Sequence, residues 1–164
     1  MRHRPKNKTY GGGSSPGAAP PPPPPARCDA YCGRAEAAGR AGRERAQGAG
    51  LIRSRDFDLP AIGTISALAG RQQAYLRSAA AMLPSDSNLR AEIEALPDQP
   101  ASRELQERRD TLLSSPSGMY ALDGADWFEA TTRRLDLIND IREAELEEVQ
   151  TMTRAGVAEA RNLL

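Results

Sequence analysis

The residues of this sequence best placed to do chemistry are charges that sit where a helix should be apolar. On an ideal wheel of about 100° per residue, Trp127, Phe128, Leu135, Ile138, Ile141, Leu146, Val149, Met152, Val157, Leu163 and Leu164 fall within about 160° of one another. Asp136, Asp140, Glu143, Glu147, Arg154 and Arg161 lie opposite, as expected of a helix packed in a bundle. Arg134, Arg142 and Glu145 project from the apolar face instead. A charge there must be paired, must reach the rim, or must serve a ligand. Arg142 and Glu145 are three residues apart and can pair with each other, which leaves Arg134 over.

An earlier run repeats the pattern. Arg45 shares a helical face with Tyr31, Ala38, Ala41, Ala49 and Ile52, small residues that leave space beside a cation. Two guanidinium groups entering a bundle interior from different helices would form a cationic pocket, and their planar fork suits a planar, oxygen-bearing anion. Glu44 or Glu145 could equally neutralise either arginine without any ligand.

Other chemistries find few residues. Cys28 and Cys32 are four apart with only His3 as a further soft ligand, so they read as two reduced thiols rather than a zinc site. There is no Gly-rich phosphate loop, and no serine lies near a candidate base. No catalytic residue, metal site or cofactor is expected. The cluster Glu143, Glu145, Glu147 and Glu148 reads first as the solvated side of the last helix and only second as a metal-binding patch.

The elements that must position the arginines are helical. The 164 residues carry 22 Lys+Arg and 22 Asp+Glu, are 39% apolar, and include only seven aromatic residues among abundant alanine. Such a chain makes helices more readily than a sandwich or barrel. Zero net charge argues against bulk attraction to nucleic acid, yet it is a sum: residues 1–55 hold 11 basic and 3 acidic residues, or +8, and residues 56–164 hold 11 basic and 19 acidic, or −8. No apolar run of 18 or more residues reads as a membrane span, and Gly, Ser and Pro stand where the apolar centre of a signal peptide would be. The chain reads as soluble, cytoplasmic by default.

Residues 1–29 are expected to be a disordered tail. Twelve of the first 27 residues are Gly or Pro, and Pro20 to Pro25 should be an extended polyproline II spacer, with SH3-type or WW-type binding as its functional reading. Helical runs follow over about 30–53, weakened by five glycines, and about 60–83, with Ile62, Ile65, Leu68, Ala69, Gln72, Tyr75, Leu76, Ala79, Met82 and Leu83 as its stripe between Pro60 and Pro84. A third run is broken: Leu89, Ile93 and Leu96, then Pro97 and Pro100, then 101–114 through Leu105, Arg109, Leu112 and Leu113. The last and longest helix starts near Asp123, whose side chain can cap it, with Asp126 in its first turn.

These residues resemble a known family. Arg43-Glu44-Arg45-Ala46-Gln47-Gly48-Ala49-Gly50-Leu51-Ile52, followed by Asp56-Phe57-Asp58 and Leu68-Ala69-Gly70-Arg71-Gln72-Gln73, is similar to the first half of the nitrate- and nitrite-sensing (NIT) domain, with its Glu-Arg-Gly-like motif on the first helix. Ala125 to Asp136, with Trp127 and Arg134-Leu135-Asp136, resembles the family's Trp-then-Arg-hydrophobic-Asp signature opening a long helix. The likeness runs from about Arg43 to Leu164.

The resemblance implies an all-α antiparallel helical bundle, an incomplete four-helix-type sensor over 30–164, of the kind found in bacterial chemotaxis receptors, sensor kinases, cyclic-dinucleotide enzymes and transcription antiterminators. It implies that nitrate or nitrite is held between helices by Arg45 and Arg134, which match the arginines of the two motifs. Ala46 replaces the family's usual glycine, and residues 28–40 lack a Leu/Ile stripe, so the domain is expected to be truncated or altered at its start and to need an output domain elsewhere. The family's sensor domains are often periplasmic, and a homodimer stays open. The competing readings are a ligand-free helical interaction or coiled-coil protein, and a nonfunctional receptor fragment.

Overall fold

The computed structural model describes residues 24–115 and 117–162, without the side chains of 24–26, 152, 156, 159, 160 and 162. Five α-helices follow one another: α1 Pro24–Ser54, α2 Leu59–Ala81, α3 Asn88–Ala95, α4 Pro100–Leu113 and α5 Gly124–Asn162, with a single 3-10 turn Leu96–Asp98 between α3 and α4. The described residues contain no strand. The tail reading of residues 1–23, with His3 and Pro20 to Pro23, lies outside the described residues, as do Leu163 and Leu164. Pro24 and Pro25 form the first turn of α1, where a missing N–H is tolerated, so the helix begins inside the segment assigned to the tail.

Local chemistry sets the ends. Asp58 Oδ1 accepts from the Ala61 amide at 3.1 Å and Pro60 follows in the first turn of α2. Ser87 caps α3, and Asp123 Oδ1 accepts from the Ala125 amide at 2.7 Å to open α5. Pro97 and Pro100 split the third rod of the bundle into α3 and α4, with Ser102 Oγ donating at 2.5 Å to the Leu96 carbonyl, which also accepts from the Gln99 amide. Arg55 leaves α1 at φ 55°, the left-handed conformation that ends a helix. Gly118, at φ 69°, lies against that corner; a Cβ there would come within 2.6 Å of the Arg55 carbonyl oxygen.

Pairings run in opposite senses along the rods, which makes the bundle antiparallel. Glu44 of α1 meets Gln72 of α2. Against α5, Arg34 meets Glu145 and Arg45 meets Thr132. Along α4 and α5, Glu104 meets Arg133. The core divides into two apolar clusters. One gathers Ala30, Ala37, Ala38 and Ala41 of α1 with Leu76, Ala79, Ala80, Ile93, Leu96, Ile138 and Ile141. The other gathers Leu51, Ile52, Ile65, Leu105, Leu112, Ala130 and the wholly buried Trp127.

The buried stripe of α1 differs from the expectation. It runs Ala30, Arg34, Ala37, Ala41, Glu44, Gly48 and Leu51, a three-and-four repeat that contains Glu44, while Arg45 is only half-buried beside it. An Ala- and Gly-rich helix has no large apolar side chain to fix its rotation, so its face is set by what it must accommodate. At Gly48 that is Trp127: a Cβ would overlap the indole, whose Nε1 donates to the Arg45 carbonyl at 3.1 Å. On α5 the apolar stripe continues beyond the bundle, leaving Leu146, Val149 and Val157 exposed.

Gly48→Ala should therefore destabilise the protein by about 1–3 kcal/mol through overpacking, although alanine is the better helix former. Gly39→Ala, at an exposed helical site with nothing near its Cβ, should stabilise by about 0.5–1 kcal/mol. Urea midpoints of the two variants read the opposite signs.

Candidate anion-binding site

Between the two apolar clusters lies a polar layer. On each of three helices a polar side chain interrupts the buried stripe at that level: Glu44 on α1, Gln72 on α2 and Arg134 on α5, respectively 0%, 2% and 7% exposed. Arg109 of α4 closes the layer. Its Nε donates to Glu44 Oε1 at 2.5 Å and its Nη2 to Oε2 at 2.8 Å, the two-pronged geometry of a guanidinium on a carboxylate. Gln72 Nε2 donates to Glu44 Oε2 at 2.5 Å. Glu44 is thus compensated by one cation and three hydrogen bonds, which a buried carboxylate requires.

Arg134 has no comparable partner. Among the described residues it makes no hydrogen bond or ion pair, and its Nη1 is buried without an acceptor. Burial, and then the neighbouring Arg109, push its pKa down to about 10, against a smaller opposing pull from Glu44. The guanidinium stays charged at neutral pH. Because its folded pKa lies below the ordinary value, the charged form is disfavoured by folding at every pH below about 10, and that cost is relieved only as pH rises through about 10.

The orphaned cation borders open space. A cleft of about 420 Å³ between α2, α4 and α5 is lined by Arg134, Arg109, Gln72, Gln73, Ser102 and Gln106 together with apolar and small residues of α2 and α4. It has room for a small oxyanion and several waters. Arg109 and Arg134 are the only charged side chains among its lining residues. Gln72 Oε1, also without a partner, supplies an acceptor to such waters.

The two arginines singled out in the sequence sit on different flanks of α5. Arg45 is not among the residues lining the cleft: its Nη1 donates to Thr132 Oγ1 at 3.0 Å and its guanidinium lies 4.6 Å from the centre of the Phe128 ring, an arrangement of cation–π type. The pairing of Arg142 with Glu145 is replaced. Glu145 pairs with Arg34 of α1, both buried, and Arg142 reaches Asn139 Oδ1 at 3.0 Å and the Tyr31 hydroxyl at 3.2 Å. Burial first, then nearby Arg142, lower the Arg34 pKa to about 10, with Tyr31 acting in the opposite sense. Neither Arg34 nor Glu145 lines the cleft that Arg134 borders. Cys28 and Cys32 are exposed free thiols, and no group of three or more His, Cys, Asp or Glu residues among the described residues could hold a metal. No described helix is long and apolar enough to cross a membrane.

Sequence reasoning passed over Arg34, named Arg109 in its helical stripe without giving it a role, and did not place Glu44 in the core. The signal was present: Arg109 and Gln72 each occupy a position in an otherwise apolar stripe, as Arg134 does.

The architecture defines an all-helical module that carries an unneutralised cation in its interior, beside a cleft. The family model described as nitrate and nitrite sensing matches residues 28–150, and the chain belongs to that family, the NIT domain. The match includes the Ala-rich segment before Arg43, so that stretch is part of the family's domain despite lacking a Leu/Ile stripe. The family is sensory rather than catalytic. No curated protein and no solved structure matches the chain.

Removing the carboxylate from the layer should be severe. Glu44→Ala leaves Arg109 and Gln72 without their acceptor and should cost about 3–5 kcal/mol. Glu129→Ala, which removes an exposed ion pair with Arg133, should cost less than about 1 kcal/mol. Equilibrium denaturation of both compares the two.

Proposed function

We propose that this domain senses nitrate or nitrite by binding the anion in the cleft between α2, α4 and α5, with Arg134 of α5 as its direct cation and Arg109 of α4 bordering the same cleft. The observation that carries the reading is the buried, unpartnered Nη1 of Arg134 at a cleft. A planar oxyanion accepts hydrogen bonds from a guanidinium edge to edge, and a charge-assisted bond of this kind contributes about 1.5–3 kcal/mol. Arg45, the second arginine of the family motifs, grips α5 at Thr132, two residues before Arg134, and so positions the helix that carries the cation.

Signalling requires two states that differ in affinity for the anion. In this reading the empty cleft holds like charges on Arg109 and Arg134 apart. The anion draws Arg134 toward Arg109, which Glu44 holds in place, so α5 closes on α4 and α2 and the displacement passes along α5. That helix is 39 residues long, about 58 Å at 1.5 Å per residue.

A second reading, association through α5, is favoured by the exposed Leu146, Val149 and Val157 on its far half. A homodimer joined there would show a mass that depends on concentration in sedimentation equilibrium; a monomer at all concentrations rejects it.

Nitrate or nitrite at a hundredfold excess over Kd should add about 2.7 kcal/mol to the stability of the full chain. For this size each kcal/mol raises Tm by about 2–4 °C. Arg134→Met should abolish that response and yet raise the ligand-free stability by about 0.5–2 kcal/mol, because a buried charge held for function is removed. Arg45→Ala should weaken the response without abolishing it. A wild-type protein whose Tm is the same in nitrate, nitrite and chloride at equal ionic strength would refute the assignment.

A further inference from the structure

The cleft carries two cations and, behind one of them, one anion. Arg109 is engaged by the Glu44 carboxylate through both of its oxygens, whereas Arg134 has no counter-charge of its own. With Glu44 behind Arg109 counted, the charges of this group therefore sum to +1 rather than +2. Glu44 and Arg134 are themselves buried, where an uncompensated charge is expensive, so the net charge of this group selects the charge of the ligand.

Building on the nitrate reading above, we infer that Glu44 is a specificity-determining residue that restricts this cleft to monovalent oxyanions and excludes divalent ones such as sulfate. A singly charged anion brings the Glu44, Arg109 and Arg134 group to neutrality. A doubly charged one leaves a buried negative charge beside a carboxylate that cannot leave, since Arg109 and Gln72 hold it. Glu44 does not touch the ligand. It acts by using up one of the two cations, and it does so from α1, an element that contributes no residue to the cleft lining.

The charge can be varied in steps. The wild-type cleft is +1, Glu44→Gln makes it +2, and Glu44→Gln combined with Arg109→Gln returns it to +1 with Arg134 alone. The double variant removes both members of the buried pair together, a change such pairs tolerate in folding, and so keeps the test decisive if the single variant does not fold. Titration calorimetry of the full chain would use nitrate, sulfate and perchlorate, the last having sulfate's tetrahedral shape with nitrate's single charge.

Wild type should bind nitrate and perchlorate more tightly than sulfate by more than about tenfold. Glu44→Gln should lose that preference or reverse it, and the double variant should recover it at lower affinity. A merely structural role for Glu44 would weaken all three anions together. Nitrate binding with rejection of both tetrahedral anions would show selection by shape and overturn the inference, while the nitrate site itself would stand. An unchanged nitrate-to-sulfate ratio in Glu44→Gln, or tight sulfate binding by the double variant, would overturn it in the same way. Absence of any nitrate or nitrite binding by wild type would overturn both.

Discussion

Everything in this bundle is arranged around a carboxylate that cannot reach water. Glu44 is fully buried in the middle of α1, and an ionised carboxylate in that position is tolerable only if every lone pair that matters is met. Meeting them fixes the relation of three helices at once. Arg109 brings α4 to α1 although the break at Pro97 and Pro100 would otherwise leave it free to swing, and Gln72 locks the register of α2. Apolar contacts alone would specify these positions weakly, because the face of α1 is mostly alanine and glycine, and small residues slide past one another with little change in buried area.

The same constraint explains why Arg134 stays exposed to the cleft in a chemical sense while buried in a geometric one. Arg109 and Gln72 already make three hydrogen bonds to Glu44, and a second arginine next to Arg109 is repelled by it. The Arg34 and Glu145 level farther along α1 and α5 is the useful contrast. There the cation has its own carboxylate, and the pair joins the two helices. One level balances its charge, although Arg34 Nε and Nη1 stay buried without a hydrogen-bond partner, and the other is left one charge short.

Much of this architecture is legible in the sequence. The stripe from Ile65 to Leu83, the proline punctuation at Pro60, Pro84, Pro97 and Pro100, and the Asp123 cap place α2 to α5 to within about two residues, because each signal is local and strong. Arg134 is visible as a cation on an apolar face for the same reason. The face of α1 is not visible, since a wheel centred on Arg45 and one centred on Glu44 are almost equally rich in alanine. What decides between them is the indole of Trp127 fitting over Gly48 and the partners of Glu44 on α2 and α4, all remote in sequence. Arg109 and Arg34 escaped for a related reason: whether a charge in a stripe is paired depends on the helix opposite.

Family membership assigns the domain to nitrate and nitrite sensing, and the proposal is that the anion completes the charge balance of the polar layer. The most direct measurement is of the arginine side chains themselves. Nitrogen-15 NMR of the arginine Nε–Hε groups, followed while nitrate is titrated into the full chain, should show its largest change at Arg134 and a smaller one at Arg109. Arg34 and Arg45 should move little. If Arg134 stays unmoved while Arg34, Arg45 or a surface arginine responds, the anion binds elsewhere and the account is contradicted.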